Sequence, residues 1–423
     1  MSSSTMRLAI EGGAPAVTTP LPPMYPGGLR IGREEEEAVL EVLRSKRLFR
    51  YYGPSDGPSK VAEFEQAFAA HVGARHAVAV TSGTGALICA LAGLEVGPGD
   101  EVIVPAYTWI ATASAVLAVG AVPVMAEVDE SLTLDPEDVA RRITPATRAI
   151  AAVHMRGAPC AMDELLAVAR PHGIAVLEDT AQACGGSYRG KRLGTIGDAG
   201  AFSLQYNKII TSGEGGVVVT NDEQIYRRAL MYHDVVGGLR NGIPPEEILP
   251  GVNYRMSELQ GAVALAQLGR LEGLLAAMRQ HRATLTSSIA DIAEQRGIQL
   301  RTCHDPQGDT CIALVFFTRT ADQAEFAVKA LRAEGVGASL LYRPGNNDYH
   351  IYTHWAPIVN RRTWTRRGGP WQWHGGDVSY APDVCPRTLD LLGRAVHIDV
   401  SPDLTGDQVE EIALALTKVV QAL

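Results

Sequence analysis

Residues 76–106 read HAVAVTSGTGALICALAGLEVGPGDEVIVPA, and this stretch contains the alternation that decides the fold. The β-branched runs HAVAV and EVIVPA are typical of buried strands, and GTGALICALAGL between them is typical of a helix. The alternation continues to residue 220 through the runs AVPVMAEV, AIAAVHM, IAVLEDTA, AGAFSL and GGVVVT. Strands and helices that alternate at this spacing predict an α/β domain with a mostly parallel central sheet, covered on both faces.

The rest of the chain predicts an arm and a second domain. Residues 1–30 are rich in Pro and Gly and read as an irregular N-terminal arm. We expect a large domain over 31–265, which opens with a helix at 32–46, and a smaller C-terminal α+β domain over 266–423. A long helix over 256–283, broken near Gly269, would connect the two.

One segment of the smaller domain is unusual. Residues 342–387 are loop-like and contain four of the five tryptophans of the chain. A loop of this length is usually functional or disordered, and its aromatic content argues against disorder. This aromatic-rich insertion could cover a binding site, or it could thicken a contact between subunits.

Composition excludes several classes of function. The formal net charge of the 423 residues is −9, so nothing draws the chain electrostatically to nucleic acid or to an anionic membrane. The six cysteines form no CxxC pair, which disfavours a disulfide framework or a metal site. The opening MSSSTMRLAIEGG lacks a signal-like apolar stretch, and no uncharged apolar run reaches about 18 residues. We expect a cytoplasmic protein without a metal or membrane partner.

Two motifs follow the first two predicted strands. TSGTGAL (81–87) opens a helix with Ser82, Gly83 and Thr84, whose amides and hydroxyls could bind an anion. An ordinary helix cap would look the same. PAYTWIATA (105–113) places Tyr107 and Trp109 after the next strand, where an aromatic face could cover a flat ring or simply pack.

Two later motifs carry a carboxylate and a lysine. LEDTAQA (177–183) places Asp179 and Gln182 at the end of a parallel strand, which is the usual ligand crevice. FSLQYNKIITSGEGG (202–216) follows a short strand with Ser203 and Lys208. Each motif alone has a structural explanation: a turn cap for Asp179, and a surface lysine before a Gly-rich hairpin for Lys208.

Together the motifs match what pyridoxal 5′-phosphate (PLP) needs from a protein. A lysine holds its aldehyde, a carboxylate keeps its pyridine nitrogen protonated, and helix amides with hydroxyls bind its phosphate. We therefore interpret Lys208 and Asp179 as catalytic residues.

The motifs TSGTGAL, PAYTW, LEDTAQA, FSLQYNKIITSGEGG and VNYRMSELQGA resemble those of the DegT/DnrJ/EryC1/StrS family over about residues 30–280. Its members are fold-type I PLP enzymes that aminate keto sugars and keto cyclitols. The resemblance implies that Lys208 carries the cofactor as a Schiff base and that Asp179 pairs with the pyridine nitrogen. It assigns the remaining cofactor contacts to Ser82, Gly83, Thr84, Trp109, Gln182, Ser203 and Asn253.

The resemblance also implies an assembly and a reaction. Asn253 stands where the family has an asparagine that reaches the phosphate of the neighbouring subunit, which implies a homodimer with shared active sites. The implied reaction moves an amino group from glutamate or glutamine to a keto sugar or keto cyclitol, in secondary-metabolite biosynthesis. The sequence around Lys208 resembles cyclitol aminotransferases, and relatives that make aminobenzoate units, more than it resembles nucleotide-sugar enzymes.

Some features stay open. LFRYYGP (48–54) departs from the family pattern, so Arg50, Tyr51 and Tyr52 could shape the substrate pocket or pack on the surface. His154 ends a predicted strand and could contact substrate or belong to the core. Three other functions compete: a PLP-dependent lyase or dehydratase acting on a cyclic substrate, a nucleotide-sugar aminotransferase, and a PLP-binding regulator without turnover.

Overall fold

The computed structural model describes residues 7–24, 30–54, 57–345 and 347–423. The first nine strands within these ranges are β1 (His76–Val80), β2 (Glu101–Pro105), β3 (Val122–Ala126), β4 (Thr147–Val153), β5 (Ala175–Asp179), β6 (Ser187–Tyr188), β7 (Lys191–Arg192), β8 (Ala199–Ser203) and β9 (Gly216–Thr220). Seven of these described strands form one sheet in the order β1-β9-β8-β5-β4-β2-β3, while β6 and β7 form a hairpin. Among the seven, β9 alone runs antiparallel to its neighbours. The prediction of a mostly parallel central sheet is confirmed.

Helices cover both faces of this sheet. They are α1 (Arg33–Ser45), α2 (Lys60–Val72), α3 (Gly83–Gly93), α4 (Ala111–Ala118), α5 (Pro136–Arg142), α6 (Met162–Ala169), α7 (Glu223–His233), α8 (Gly237–Arg240) and α9 (Glu258–Leu268). Successive residues of β2 point to opposite faces: Val102 and Val104 share a cluster with α3, whereas Ile103 packs with Leu165 of α6. The continuous apolar runs in the sequence therefore reflect burial on both sides.

The connection to the C-terminal part is a broken helix, as predicted. The helix α9 ends at Leu268 and α10 (Leu271–Gln295) begins two residues beyond Gly269. The second helix runs to Gln295, well past the expected end at 283.

The C-terminal part is an α+β unit built on a second sheet. Its elements are β10 (Gln299–Leu300), β11 (Ala313–Phe317), α11 (Ala321–Ala333), β12 (Ala338–Leu340), α12 (Ala356–Val359), α13 (Pro370–His374), α14 (Pro386–Arg394), β13 (Ala395–Asp399) and α15 (Gly406–Ala422). The four strands are antiparallel, in the order β10-β11-β13-β12. The boundary between domains at 265/266 stays a prediction.

Part of the N-terminal arm packs on this C-terminal unit. Leu8 and Val17 are buried in its core. The buried carboxylate of Glu334 accepts the backbone N–H of Ala9 at 2.8 Å and of Ala16 at 2.9 Å, and it pairs with Lys418 at 2.6 Å. Residues 1–6 and 25–29 of the predicted arm lie outside the described residues.

The aromatic-rich insertion lies against the loop that follows β2. Three backbone hydrogen bonds join the two segments: Thr108 N–H to His350 O (2.9 Å), Ile110 N–H to Tyr349 O (3.0 Å) and Tyr352 N–H to Ala106 O (3.1 Å). Its tryptophans differ, since Trp355 is fully buried and Trp364 is fully exposed. No helix in the described part of the chain is long and apolar enough to cross a membrane.

Candidate active site

A cavity of about 420 Å³ opens at the carboxyl ends of the parallel strands. Loops that follow β1, β2, β5 and β8 line it, because parallel strands end at one edge of the sheet. All but one of the predicted cofactor contacts lie in its wall: Ser82, Gly83, Thr84, Trp109, Asp179, Gln182, Ser203 and Lys208. Four motifs that are far apart in the chain therefore meet at one place.

The start of helix α3 forms one side of the cavity. The Ser82 hydroxyl accepts the Gly85 N–H at 3.0 Å, so this serine is an N-cap of the helix as well as a residue of the cavity wall. In the described part of the chain, the N–H groups of Gly83 and Thr84 have no hydrogen-bond partner. A Cβ on Gly83 would lie 2.6 Å from Cβ of Ser203, so only glycine lets these loops meet. Free amides at a helix N-terminus are suited to a phosphate.

Asp179 is held in one orientation by two donors. Its Oδ2 accepts the Thr112 hydroxyl at 2.8 Å, and its Oδ1 accepts the Ala181 N–H at 3.1 Å. Burial raises the pKa of Asp179, while these hydrogen bonds and the Lys208 charge act in the opposite direction. Thr112 is part of the quoted PAYTWIATA motif, yet nothing in the sequence linked it to Asp179.

Lys208 lies in the cavity wall without an ion-pair partner among the described residues. Burial lowers the pKa of its amine, the Asp179 carboxylate raises it, and the Arg156 charge lowers it further. The lowered pKa makes the neutral amine more available, and only the neutral amine can act as a nucleophile or accept a proton.

The opposite side of the cavity comes partly from the insertion. The ring of Trp109 lies 5.0 Å from the ring of His350 and 6.3 Å from that of Tyr349. His350 lines the cavity, and its Nδ1 lies 2.7 Å from Oδ1 of Asp348. Burial lowers the pKa of His350, although Asp348 acts against this. Sequence reasoning missed His350, because only the fold brings the insertion to this edge.

Arg156 is a second residue that sequence reasoning missed. It lines the cavity, and its Nε donates to the Tyr107 hydroxyl at 3.2 Å. Its backbone N–H donates to Oε1 of Gln182 at 3.2 Å, so Gln182 supports this turn as well as facing the cavity. Asp399, at the end of β13, completes this side of the cavity. The available signal was a basic residue three positions after the end of β4 at Val153.

Several predicted contacts lie away from the cavity. Arg50 is buried in an ion pair with Glu65, with N–O distances of 2.6 and 2.9 Å. Tyr51 packs under the Arg240 guanidinium, and Tyr52 is exposed. Asn253 is exposed too and is not in the cavity of its own chain. The substrate role of residues 50–52 and the partner-directed role of Asn253 stay predictions.

His154 is fully buried beside the site rather than in the cavity wall. Its Nδ1 accepts the Cys160 N–H at 3.1 Å, so its Nε2 is the atom that donates to Glu178 at 3.0 Å. Its backbone N–H donates to the Asp179 carbonyl at 3.1 Å. These contacts give His154 a structural role at the strand end, and its contact with substrate stays a prediction.

A sequence profile of the DegT/DnrJ/EryC1/StrS aminotransferase family matches residues 29–363. The chain belongs to this family. It is an aminotransferase, and the family indicates PLP as its cofactor. The residues present fit PLP, because the cavity is lined by an oriented buried carboxylate and, as far as the described residues show, by an unpaired lysine and two free helix amides. The resemblance seen in the sequence is confirmed.

Individual relatives indicate the range of chemistry. The chain is 36% identical to an L-glutamine:2-deoxy-scyllo-inosose aminotransferase from Streptomyces paromomycinus, over 99% of this chain and 98% of the relative. It is 42% identical to GDP-perosamine synthase from Caulobacter vibrioides, over 61% of this chain and 67% of that protein. The crystal structure of 3-amino-5-hydroxybenzoic acid synthase superposes with a TM-score of 0.78 at 30% identity, covering 96% of this chain and 100% of that one.

Proposed function

We propose that this aminotransferase uses PLP in the cavity described above to move the amino group of L-glutamine to a keto cyclitol. The observation that carries the substrate assignment is the alignment with an L-glutamine:2-deoxy-scyllo-inosose aminotransferase over nearly the whole of both chains. The cavity supports the chemistry, since it gathers the lysine and the carboxylate that amine transfer with PLP requires.

Bound PLP supplies an aldehyde that exchanges with the substrate amine and a ring that withdraws electron density from the reacting carbon. Lys208 would hold the aldehyde between turnovers. Asp179 would keep the ring nitrogen protonated. Its two hydrogen-bond donors fix the orientation of the carboxylate, and burial strengthens the attraction between this carboxylate and the protonated nitrogen. The amides of Gly83 and Thr84, with the Ser203 hydroxyl, would bind the phosphate, and Trp109 would cover the ring face.

Lys208 has a second task as the proton carrier. Burial lowers the pKa of its amine, and the neutral amine would accept a proton from the α-carbon of the donor. The ammonium so formed can return this proton to a neighbouring carbon, because the residue lies in the cavity wall with no competing ion pair among the described residues. Because Lys208 can both accept and return a proton, the same residue can serve the half-reaction with the amino donor and the half-reaction with the acceptor.

We further propose a homodimer that shares its active sites. An exposed apolar face supports this: Leu48, Tyr52, Val235 and Leu239 are all more than half exposed. The guanidinium of Arg240 lies 5.2 Å from the Phe49 ring, so segments 48–52 and 235–240 form one surface. Asn253 is exposed and could enter a partner's cavity. Mixing Lys208→Ala with Asn253→Ala subunits should then restore activity to one site per dimer, whereas no recovery would refute sharing.

The acceptor is tested by two half-reactions followed through the cofactor absorbance. L-glutamine alone should convert the enzyme to the aminated cofactor form, and 2-deoxy-scyllo-inosose should convert it back. The partial match with GDP-perosamine synthase favours a nucleotide-linked keto sugar as the second candidate. Return of the spectrum with a GDP-linked keto sugar, but not with the cyclitol, would overturn the cyclitol assignment. Failure of L-glutamine to change the spectrum would overturn the amino donor.

We place this reaction in the cytoplasm. All six cysteines are free and five of them are buried, so the chain depends on no disulfide. Free buried thiols are typical of proteins kept in a reducing compartment.

A further inference from the structure

Arg156 has an unusual backbone for a large side chain. Its φ and ψ are 52° and 35°, in the left-handed region that favours glycine. The next residue, Gly157, is also left-handed, and a Cβ there would lie 2.1 Å from the Thr310 hydroxyl. Such a backbone persists only where the surroundings hold it, and it concentrates at functional sites.

The surroundings of Arg156 do hold it, from three directions. Its N–H donates to Gln182 at 3.2 Å, and its carbonyl accepts from the Arg301 guanidinium at 3.4 Å. Arg301 is itself fixed by Asp309 at 3.0 Å. The Gly157 carbonyl accepts the Thr310 N–H at 3.1 Å. This turn directs the Arg156 side chain into the wall of the cavity.

The guanidinium at the end of that side chain lacks a carboxylate partner. No described carboxylate oxygen lies within 4.0 Å of it, and its one side-chain hydrogen bond joins Nε to the Tyr107 hydroxyl. Arg301 shows the contrast, because that buried guanidinium is paired directly with Asp309. Against the effect of burial, the charges of Asp399 and Asp348 raise the pKa of Arg156, but they form no ion pair with it, so both Nη groups of this buried guanidinium are available to an anion that enters the cavity.

We infer that Arg156 binds the α-carboxylate of the amino donor. This inference rests on the proposed function, in which the donor is an amino acid and the keto cyclitol acceptor has no carboxylate. Arg156 and Lys208 line the same cavity, as a donor requires when its amine reacts and its carboxylate is adjacent. The planar fork of a guanidinium matches a carboxylate with two parallel hydrogen bonds.

The test compares Arg156→Gln and Arg156→Lys with wild type in the two half-reactions. Arg156→Gln should raise the L-glutamine concentration needed for half-maximal conversion by about 30-fold or more, because the partner charge is lost from a buried pair. Arg156→Lys should recover part of that loss, since it keeps the charge without the fork. Calorimetry with glutarate, an unreactive dicarboxylate of the same carbon length as glutamine, gives a binding readout that needs no turnover.

The controls separate recognition from damage to the fold. Arg44→Gln removes an equal charge from an exposed position on α1 and should leave both half-reactions unchanged. Cofactor absorbance and melting temperature show whether each Arg156 variant is folded and loaded. Loss confined to the acceptor half-reaction would show that Arg156 contacts the acceptor rather than the donor and would overturn the inference, as would unchanged glutamine and glutarate affinity. If L-glutamine did not change the cofactor absorbance of the wild-type enzyme, the proposed function itself would be refuted.

Discussion

The two sides of the active-site cavity are built in different ways. The strand-end wall consists of residues 82–84, 179–182 and 203–208, which follow three strands of the central sheet. The insertion wall is the segment 348–355, of which His350 faces the cavity, and three backbone hydrogen bonds join this segment to the loop after β2. The first wall is positioned by the sheet itself, whereas the second depends on contacts between segments more than 200 residues apart.

This difference predicts different sensitivities. The strand-end wall is stabilised by polar contacts at single residues, such as the two donors on Asp179. The insertion wall is anchored by the buried indole of Trp355, whose Nε1 donates to the Tyr349 carbonyl at 2.7 Å. Changes in the first wall should therefore affect chemistry with little loss of stability, and changes in the second should do the reverse.

Lys208→Ala should give the largest effect. We expect kcat to fall by about 10³-fold or more, because the wall then lacks its proton carrier. Melting temperature should stay close to wild type, since the lysine has no ion pair among the described residues. Steady-state kinetics and calorimetry measure both quantities, with the exposed Lys191→Ala as the matched control. Retained turnover would refute the catalytic assignment of Lys208.

Asp179→Asn should come next. The amide keeps the shape of the side chain but removes the charge that would hold the ring proton, so we expect kcat to fall by about 10²-fold. Asp291→Asn, on the exposed face of α10, provides the control. A cofactor absorbance maximum that differs between Asp179→Asn and wild type would show that the ring is affected directly. Equal spectra and equal kcat would contradict this role.

Trp355→Ala tests the insertion wall. Truncation of a fully buried indole should cost about 3–5 kcal/mol of local stability. Amide hydrogen exchange should accelerate at Thr108, Ile110 and Tyr352, whose N–H groups join the insertion to its neighbours. The exposed Trp364→Ala should change stability by less than about 0.5 kcal/mol. Unchanged exchange at these three amides would show that the wall does not depend on Trp355.

Mild acid should give the smallest effect and should loosen one wall only. The pKa of His350 is lowered below its ordinary value of 6.5, mainly by burial. As pH falls, the imidazole is therefore protonated at a higher pH in the unfolded state than in the folded state. The stability that neutral His350 contributes is present above pH 6.5 and is lost as pH falls through the lowered pKa. The raised pKa of Asp179 acts in the opposite sense, because the folded state binds that proton first.

Hydrogen exchange against pH measures this difference. Between pH 7 and 5, exchange at Thr108 and Ile110 should accelerate once the rates are corrected for the intrinsic pH dependence of amide exchange, because the insertion loses stability as His350 is protonated. Exchange at Thr180, which bonds to Ala201 across the sheet, should not accelerate in the same way. His350→Gln should flatten the profile of the insertion wall. Equal acceleration in both walls would contradict the role of His350.

The strand-end wall could be predicted from the sequence because its determinants are local. Each motif directly follows an apolar strand, and parallel strands end at one edge of the sheet. Neighbouring residues on a strand point to opposite faces, so Asp179 and Glu178 must differ. Asp179 enters the cavity, whereas Glu178 accepts backbone N–H groups of Gly194, Ile196 and Gly197 on the other side.

The other residues around the site could not be predicted, because their contact partners are distant in the chain or lie in segments without a recognisable motif. The sequence left Arg50 open between a substrate-pocket role and a packing role, and nothing in it indicated Glu65, with which the fold pairs the Arg50 guanidinium. His350 belongs to a segment without periodicity, and tertiary hydrogen bonds such as that from Thr108 N–H to its carbonyl place it near Trp109. Arg156 followed a strand like the catalytic motifs, but its left-handed turn depends on Arg301 and Thr310.

The sequence by itself determined the α/β fold, the family and the residues of the strand-end wall, because period, strand ends and motif order are properties of short segments. Only the tertiary structure decided which side chains face them across the cavity. That choice depends on contacts between residues such as Thr108 and His350, or Arg156 and Arg301, which no local pattern encodes. Lys208 could thus be read from its neighbours in the chain, whereas Arg156 required its neighbours in space.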